Sequence, residues 1–263
     1  MINDITELLS SNAYPGRGIV IGMDEDGMRS VALYFIMGRS ENSRNRVFEK
    51  TGDGIRTKAF DPARLTDPSL VIYNPVRAYR GRVIVTNGDQ TDTILEYLKD
   101  GRDIRAALAT REFEPDAPLY TPRISGLIER GGSYCLSILK TADGDPSCCC
   151  RYLFEYPEAI PGTGHFISTY LSDGNPPPSF SGEPVPVKIS LAGGLESFAK
   201  AVWESLNFEN KVSLYARAMI VAGADDAAAA GGSDAGDASA DGAAAAIRTA
   251  ADEVIFNKNT TVP

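Results

Sequence analysis

Apolar runs separated by short turns dominate the first part of the chain. Residues 17–22 and 30–37 are two such runs on either side of an acidic, glycine-containing turn, a pattern typical of a β-hairpin. Residues 69–74 and 82–87 form a second pair, rich in the β-branched side chains that favour strands. The two pairs predict a mainly antiparallel sheet.

The apolar spacing changes after residue 90. Residues 92–99 and 103–110 have apolar positions at helical spacing and predict two helices, and strand-like runs resume at 123–128 and 133–139. Strand pairs followed by helices and then by further strands predict an α+β protein built as a layered sandwich.

The composition changes again near a proline run at 176–178. We therefore expect a core domain at residues 1–180 and a C-terminal extension at 181–263. In this extension, 195–206 carries one apolar stripe typical of an amphipathic helix, and 245–256 has helical or mixed character. Residues 222–246 are almost entirely Ala, Gly, Asp and Ser, which predicts a flexible segment.

The composition limits the classes of partner. The chain has 263 residues and a net charge of −9, which argues against a nucleic acid, because such binding depends on basic surface. No apolar run reaches the length of a membrane span, and no signal-peptide pattern is present, so we expect no membrane association and a cytoplasmic protein. The single histidine and the unpaired cysteine spacing predict no metal site.

Residues 38–46 form the densest polar cluster. Arg39, Arg44 and Arg46 follow an apolar strand, and arginine matches phosphate oxygens through a planar fork of donors. A solvated turn with surface charge explains the cluster equally well.

Residues 85–93 run from a strand through a glycine turn into a helix. The N–H groups at such a junction can bind an anion, but the same residues are also typical of ordinary turns and helix caps.

Two further positions carry candidate chemistry. Glu114 lies in the proline-rich acidic loop 112–123, where a partly buried carboxylate would serve as a general base, although an exposed loop is the commoner outcome. Tyr73 lies near the end of a predicted buried strand, where tyrosine is more often part of the core.

Taken in order, these segments resemble the archaeal-type IMP cyclohydrolase family over residues 14–175. The resembling segments are 14–22, Arg39-Ser40 with Asn45-Arg46, 71–77, 85–92, Phe113-Glu114, 121–126 and 167–170. The resemblance implies a four-layer α-β-β-α sandwich like that of the N-terminal-nucleophile hydrolases. It also implies a homo-oligomer that needs no cofactor and no metal.

The family's reaction, as the resemblance implies it, closes the purine ring of a formamido-imidazole-carboxamide ribonucleotide to give IMP and water. The carboxamide nitrogen attacks the formyl carbon of the same molecule. By resemblance, Glu114 would relay protons, Tyr73 would hydrogen-bond the formyl oxygen, and Arg46 would stabilise charge there. Substrate-binding roles are implied for Arg39, Asn74, Asn87, Thr91, Asp92 and Arg123.

The sequence departs from the family at three places. The stretch between Arg39 and Arg46 is longer, and Gln90 stands where archaeal members tend to have histidine. Residues after about 180 are expected to have no counterpart in the compact archaeal enzymes. Two other functions stay open. An amidohydrolase with an N-terminal nucleophile would need a Ser, Thr or Cys in place of Met1, and a purine-nucleotide-binding protein without catalysis would bind IMP without turnover.

Overall fold

The computed structural model describes residues 2–65, 68, 70–221 and 251–259. The strands are β1 (Arg17–Met23), β2 (Arg29–Met37), β3 (Arg46–Lys50), β4 (Gly54–Ala59), β5 (Val76–Tyr79), β6 (Arg82–Thr86), β7 (Arg123–Ile128), β8 (Tyr134–Ala142), β9 (Asp145–Tyr156), β10 (Thr163–Ser168), β11 (Val185–Lys188), β12 (Lys211–Ile220) and β13 (Asp252–Asn257). The helices are α1 (Ile5–Ser10), α2 (Glu41–Arg44), α3 (Gln90–Lys99), α4 (Ile104–Leu108) and α5 (Gly194–Ser205), with a 3₁₀ turn at Pro62–Arg64.

These strands form two antiparallel sheets. The first sheet has the order β11-β10-β1-β2-β12-β13, and the second follows the chain from β3 to β9. The predicted hairpin of β1 and β2 is confirmed, with Ile19 opposite Tyr34. Its turn is fixed by Asp24, whose carboxylate accepts hydrogen bonds from the backbone N–H groups of Met28 and Arg29 at 2.9 Å.

Apolar side chains cover both faces of each sheet. Along β1, Ile19 and Ile21 face the second sheet, whereas Val20 faces α1 and α5, as the two-residue period of a strand requires. A third apolar layer joins the second sheet to α3 and α4, through side chains such as Leu95 and Leu127. The α+β class with antiparallel sheets is therefore confirmed.

The predicted strand at 69–74 is wrong. Strand β5 begins only at Val76, because the chain first turns at Pro68, whose carbonyl accepts hydrogen bonds from the N–H groups of Val71 at 3.1 Å and Ile72 at 2.9 Å. Tyr73 instead lies beside β4. Its N–H donates to the Thr57 hydroxyl at 2.8 Å, and the Thr57 N–H donates to its carbonyl at 2.9 Å.

Residues after 180 contribute strands as well as the predicted helix. The helix is confirmed as α5, but β12 pairs with β2 in the first sheet, placing Tyr215 opposite Tyr34. Residues 252–257 form β13, not a helix, because their alternating side chains continue the sheet beside β12. The predicted flexible segment, 222–246, lies outside the described residues.

Gly18 provides a test of packing in the first sheet. A Cβ at this position would lie 2.3 Å from the Phe35 ring and 2.8 Å from the Phe166 ring. We expect Gly18→Ala to lower the free energy of unfolding by about 1–3 kcal/mol, the usual cost of overpacking. Denaturant unfolding measures this loss.

Gly52 is the matched control, because a Cβ there meets nothing within 4 Å. Gly52→Ala should change the free energy of unfolding by no more than about 0.5 kcal/mol. Equal effects of the two substitutions would contradict the packing described for Gly18.

Candidate active site

Polar side chains gather where the apolar layer between the two sheets ends. Arg17 and Arg46 begin β1 and β3, and strand alternation places them on the same faces as Ile19 and Phe48, which belong to that layer. Glu114 lies in the loop before β7. The site is therefore built from strand ends and loops of both sheets.

Arg46 is one of the largest fully buried side chains, with 1% of its surface exposed. Its Nε donates to the carbonyl of Ser43 at 3.0 Å, and Ser43 is held by a capping box with Ser40 at the start of α2. Among the described residues, Nη1 of Arg46 has no hydrogen-bond partner. Burial, together with the nearby charge of Arg17, lowers the pKa of Arg46.

Arg17 lies beside the carboxylate of Glu114. The Arg17 Nη2 is 3.9 Å from Glu114 Oε2, and the two side chains are 12% and 3% exposed. Burial lowers the pKa of Arg17, but Glu114 and the neighbouring phenols together outweigh burial, so the pKa is raised. Arg17 Nε also lacks a partner within the described part of the chain. Buried donors without partners are rare away from functional sites.

Glu114 is positioned by its own loop and by the end of β6. Its N–H donates to the carbonyl of Thr121 at 2.9 Å, and the Asn87 amide donates to its Oε1 at 3.4 Å. Burial raises the pKa of Glu114, although Arg17 and Arg123 act in the opposite direction. A carboxyl group with a raised pKa exchanges protons closer to neutral pH than an exposed one.

Tyr73 contacts a second buried phenol. Its hydroxyl is 2.9 Å from that of Tyr34, which lies on β2 and is fully buried. The charges of Arg46 and Glu114 interact with each other, and Arg46 also interacts with both phenols. The structure thus brings Arg46, Tyr73 and Glu114 to one place.

Two of the predicted substrate-binding residues lie next to this group. Asn87 Oδ1 accepts the N–H of Ile124 at 2.8 Å, which fixes the direction of its amide toward Glu114. Arg123 Nη1 donates to Gln90 Oε1 at 2.7 Å. Gln90 Nε2 in turn donates to Asn87 Oδ1 at 3.1 Å, so the Gln90 amide links Arg123 to Asn87. Gln90 is the position where the family resemblance leads one to expect histidine.

Asn74, Thr91 and Asp92 have different surroundings. Asn74 donates to Asp92 at 3.0 Å, and Arg77 also pairs with Asp92. The hydroxyl of Thr91 is fully buried and lies 2.6 Å from that of Thr86. The contacts of Thr91 therefore belong to the start of α3.

Arg39 is held apart from Arg46. Its guanidinium donates to Asp173 at 2.7 Å and to the carbonyl of Gly174 at 2.6 Å, and it lies 4.6 Å from the centre of the Tyr14 ring. Its side chain is 35% exposed. Arg39 is therefore available at the surface rather than at the buried group.

Sequence reasoning missed Arg17 and Tyr34. Arg17 was noted only as part of a family motif, and Tyr34 lay within an apolar run. The available signal was the single arginine at the first position of an otherwise apolar strand, on the same face as Ile19.

A cavity of about 770 Å³ lies elsewhere. Its lining, which includes Arg82, Arg105 and Tyr134, shares no residue with the site. Within the described ranges, no cluster of three or more His, Cys, Asp or Glu side chains could hold a metal ion. The same ranges contain no helix long and apolar enough to cross a membrane.

A buried carboxyl group with a raised pKa, two adjacent guanidinium groups and a phenol define an acid–base site able to stabilise negative charge. This combination is typical of an enzyme that moves protons on a bound anionic or polar ligand.

Comparison with known proteins identifies the family. Residues 14–223 match the model of the IMP cyclohydrolase-like protein family. The chain belongs to this family, as its motifs predicted, and the match extends past the predicted limit of residue 175 to include β12.

Curated relatives agree. The chain is 32% identical to the IMP cyclohydrolase of Methanopyrus kandleri over 160 residues, 60% of this chain and 75% of the relative. It is 29% identical to that of Methanosphaera stadtmanae over 161 residues, 60% and 73% of the two chains. With the enzyme of Haloquadratum walsbyi the identity is 27% over 204 residues, 76% and 87% of the two chains.

The raised pKa of Glu114 predicts a pH-dependent loss of stability. The folded protein holds the Glu114 proton more tightly than the unfolded chain, whose carboxyl group has its ordinary pKa of 4.5. The wild type should therefore lose stability relative to Glu114→Gln as the pH rises above 4.5, by at most about 1.4 kcal/mol per pH unit. Unfolding curves recorded across this range measure the difference.

Glu112→Gln is the control, since this carboxylate lies in the same loop with 68% of its side chain exposed. It should reproduce the wild-type pH dependence. If the difference in the free energy of unfolding between wild type and Glu114→Gln stays constant with pH, burial does not raise the pKa of Glu114.

Proposed function

We propose that this protein is an IMP cyclohydrolase, which closes the purine ring of the formamido-imidazole-carboxamide ribonucleotide. The observation that carries the proposal is the buried Glu114 carboxyl group beside Arg17 and Arg46, each of which has an unpartnered donor among the described residues. Membership of the family and relatives of the same name support the choice of reaction.

The reaction needs proton transfers more than it needs a strong nucleophile. The carboxamide nitrogen forms a bond to the formyl carbon and loses one proton, and the formyl oxygen becomes a hydroxyl group. The formamido nitrogen then loses its proton and forms a double bond to the same carbon, while the hydroxyl group takes up a proton and leaves as water. Both reacting groups belong to one molecule, so holding them in the reactive rotamer removes much of the barrier. The enzyme must remove one proton from each of the two nitrogens and supply both to the departing oxygen.

The side chains of the site suit these steps. Glu114 takes the proton from the carboxamide nitrogen, and its raised pKa favours this exchange. Tyr73 donates its hydroxyl proton toward the formyl oxygen. Arg46 stabilises negative charge on that oxygen through Nη1, in a site where burial strengthens the interaction. Arg17 keeps Glu114 oriented.

The remaining ligand groups are assigned from their positions. Asn87 and Arg123 lie beside Glu114 and would bind the base and its attached sugar. Asn74, Asp92 and Arg39 would hold the ribose and phosphate from the outer part of the site. Thr91, with its buried hydroxyl, would act through the start of α3.

The layer order of the sandwich and the homo-oligomer also belong to this proposal. The apolar layers support the α-β-β-α order of the N-terminal-nucleophile-hydrolase type. Strand β9, twelve residues long at the edge of the second sheet, is the place where we propose contact with a second copy in a homo-oligomer. Independence from metals and cofactors and a location in the cytoplasm stay predictions.

The test supplies the formylated ribonucleotide and follows IMP by chromatography. The wild type should form IMP well above the uncatalysed rate. Tyr73→Phe and Glu114→Gln should each lower kcat by about a hundredfold or more, because each removes a proton-transfer group.

Tyr152→Phe and Glu112→Gln are the matched controls, since both side chains are exposed and Glu112 pairs with Arg151 rather than with the buried group. Both should retain wild-type kcat. IMP binding by a wild type that forms no IMP would favour a nucleotide-binding protein, and full activity of both site variants would move the chemistry to other residues.

A further inference from the structure

Tyr34 lies behind Tyr73, on the side away from the solvent. Its ring stacks on Phe48 with 5.6 Å between the ring centres, and none of its surface is exposed, whereas Tyr73 is 6% exposed. The two hydroxyl oxygens are 2.9 Å apart. A ligand that enters the site therefore meets Tyr73, and Tyr34 acts only through it.

The surroundings of Tyr34 decide which hydroxyl donates. Only one proton can lie between the two oxygens. Among the described residues, the Tyr34 hydroxyl has no hydrogen-bond partner other than Tyr73 Oη. Arg17 and Arg46 act on Tyr34 electrostatically and Phe48 stacks on its ring, and none of these side chains accepts a hydrogen bond. The Tyr34 hydroxyl therefore donates its proton to Tyr73 Oη.

Burial, reinforced by the neighbouring Tyr73, raises the pKa of Tyr34 well above its ordinary value. Tyr34 therefore keeps its proton throughout the range in which the enzyme would work. A phenol that stays protonated and has one acceptor is a fixed donor.

We propose that Tyr34 is a positioning residue, which donates to Tyr73 Oη and thereby directs the Tyr73 proton away from the core and toward the ligand. This inference rests on the proposed function. When Tyr34 fills the acceptor site of Tyr73, the Tyr73 proton has to point elsewhere, which is toward the formyl oxygen in the reaction proposed above.

The test compares Tyr34→Phe with Tyr215→Phe. Tyr215 lies opposite Tyr34 on β12, is also fully buried, and donates to Glu253 at 2.9 Å, outside the site. Each substitution removes one buried phenolic hydroxyl and keeps the ring. We expect Tyr34→Phe to lower kcat by about tenfold, which one neutral hydrogen bond can supply, with KM within about twofold of wild type. Tyr215→Phe should leave both constants unchanged.

A double variant separates positioning from a general structural effect. If Tyr34 acts through Tyr73, adding Tyr34→Phe to Tyr73→Phe should change kcat by less than about twofold, because the group to be positioned is already absent. Thermal unfolding of Tyr34→Phe and Tyr215→Phe checks that both variants fold at the assay temperature.

The outcomes distinguish the two proposals. If the wild type is active, three results would overturn the role of Tyr34 and leave the proposed function standing. They are an unchanged kcat in Tyr34→Phe, equal losses of kcat in Tyr34→Phe and Tyr215→Phe, and a further loss of kcat of about tenfold in the double variant. A wild type that forms no IMP would overturn the proposed function, and the role of Tyr34 with it.

Discussion

Two guanidinium groups buried beside one carboxyl group are the constraint on which the site depends. Removing Arg17, Arg46 and Glu114 from water is costly, and the cost is offset only if their partners are held accurately. The sheets supply this accuracy, because each arginine begins a strand whose next inward-facing residue is locked in the apolar layer. The N–H groups of Arg17 and Arg46 that have no partner among the described residues can then donate to a ligand oxygen without further rearrangement.

The sequence alone predicted the fold class and much of the strand pairing, because alternation and turn chemistry act locally. It misplaced the segment around Tyr73, where β-branched residues suggested a strand. The turn at Pro68 instead lays this segment beside Thr57. This difference matters for the site. In a regular strand, the direction of the Tyr73 side chain would follow from the face of the sheet on which it lies.

The candidate site was harder to predict than the fold. Arg46, Tyr73 and Glu114 are ordinary residues when taken singly, and only the ordered family motifs joined them. Arg17 and Tyr34 were missed for a physical reason. Alternation tells which face of a strand a residue occupies, but it does not tell which polar groups of the other sheet lie opposite. That information comes from the stacking of two sheets, which depends on contacts distant in sequence.

The position of β12 between β2 and β13 has a consequence for how the protein folds. The second sheet follows the chain order, so its strands can pair as they leave the ribosome. The first sheet joins β2 to β12, whose partners Tyr34 and Tyr215 are far apart in sequence. Pairing of such high contact order is slow, and the open edge of β2 is exposed to aggregation until it is complete. The sheet that carries Tyr34 can therefore be completed only after every strand of the sheet beside Glu114 has been synthesised.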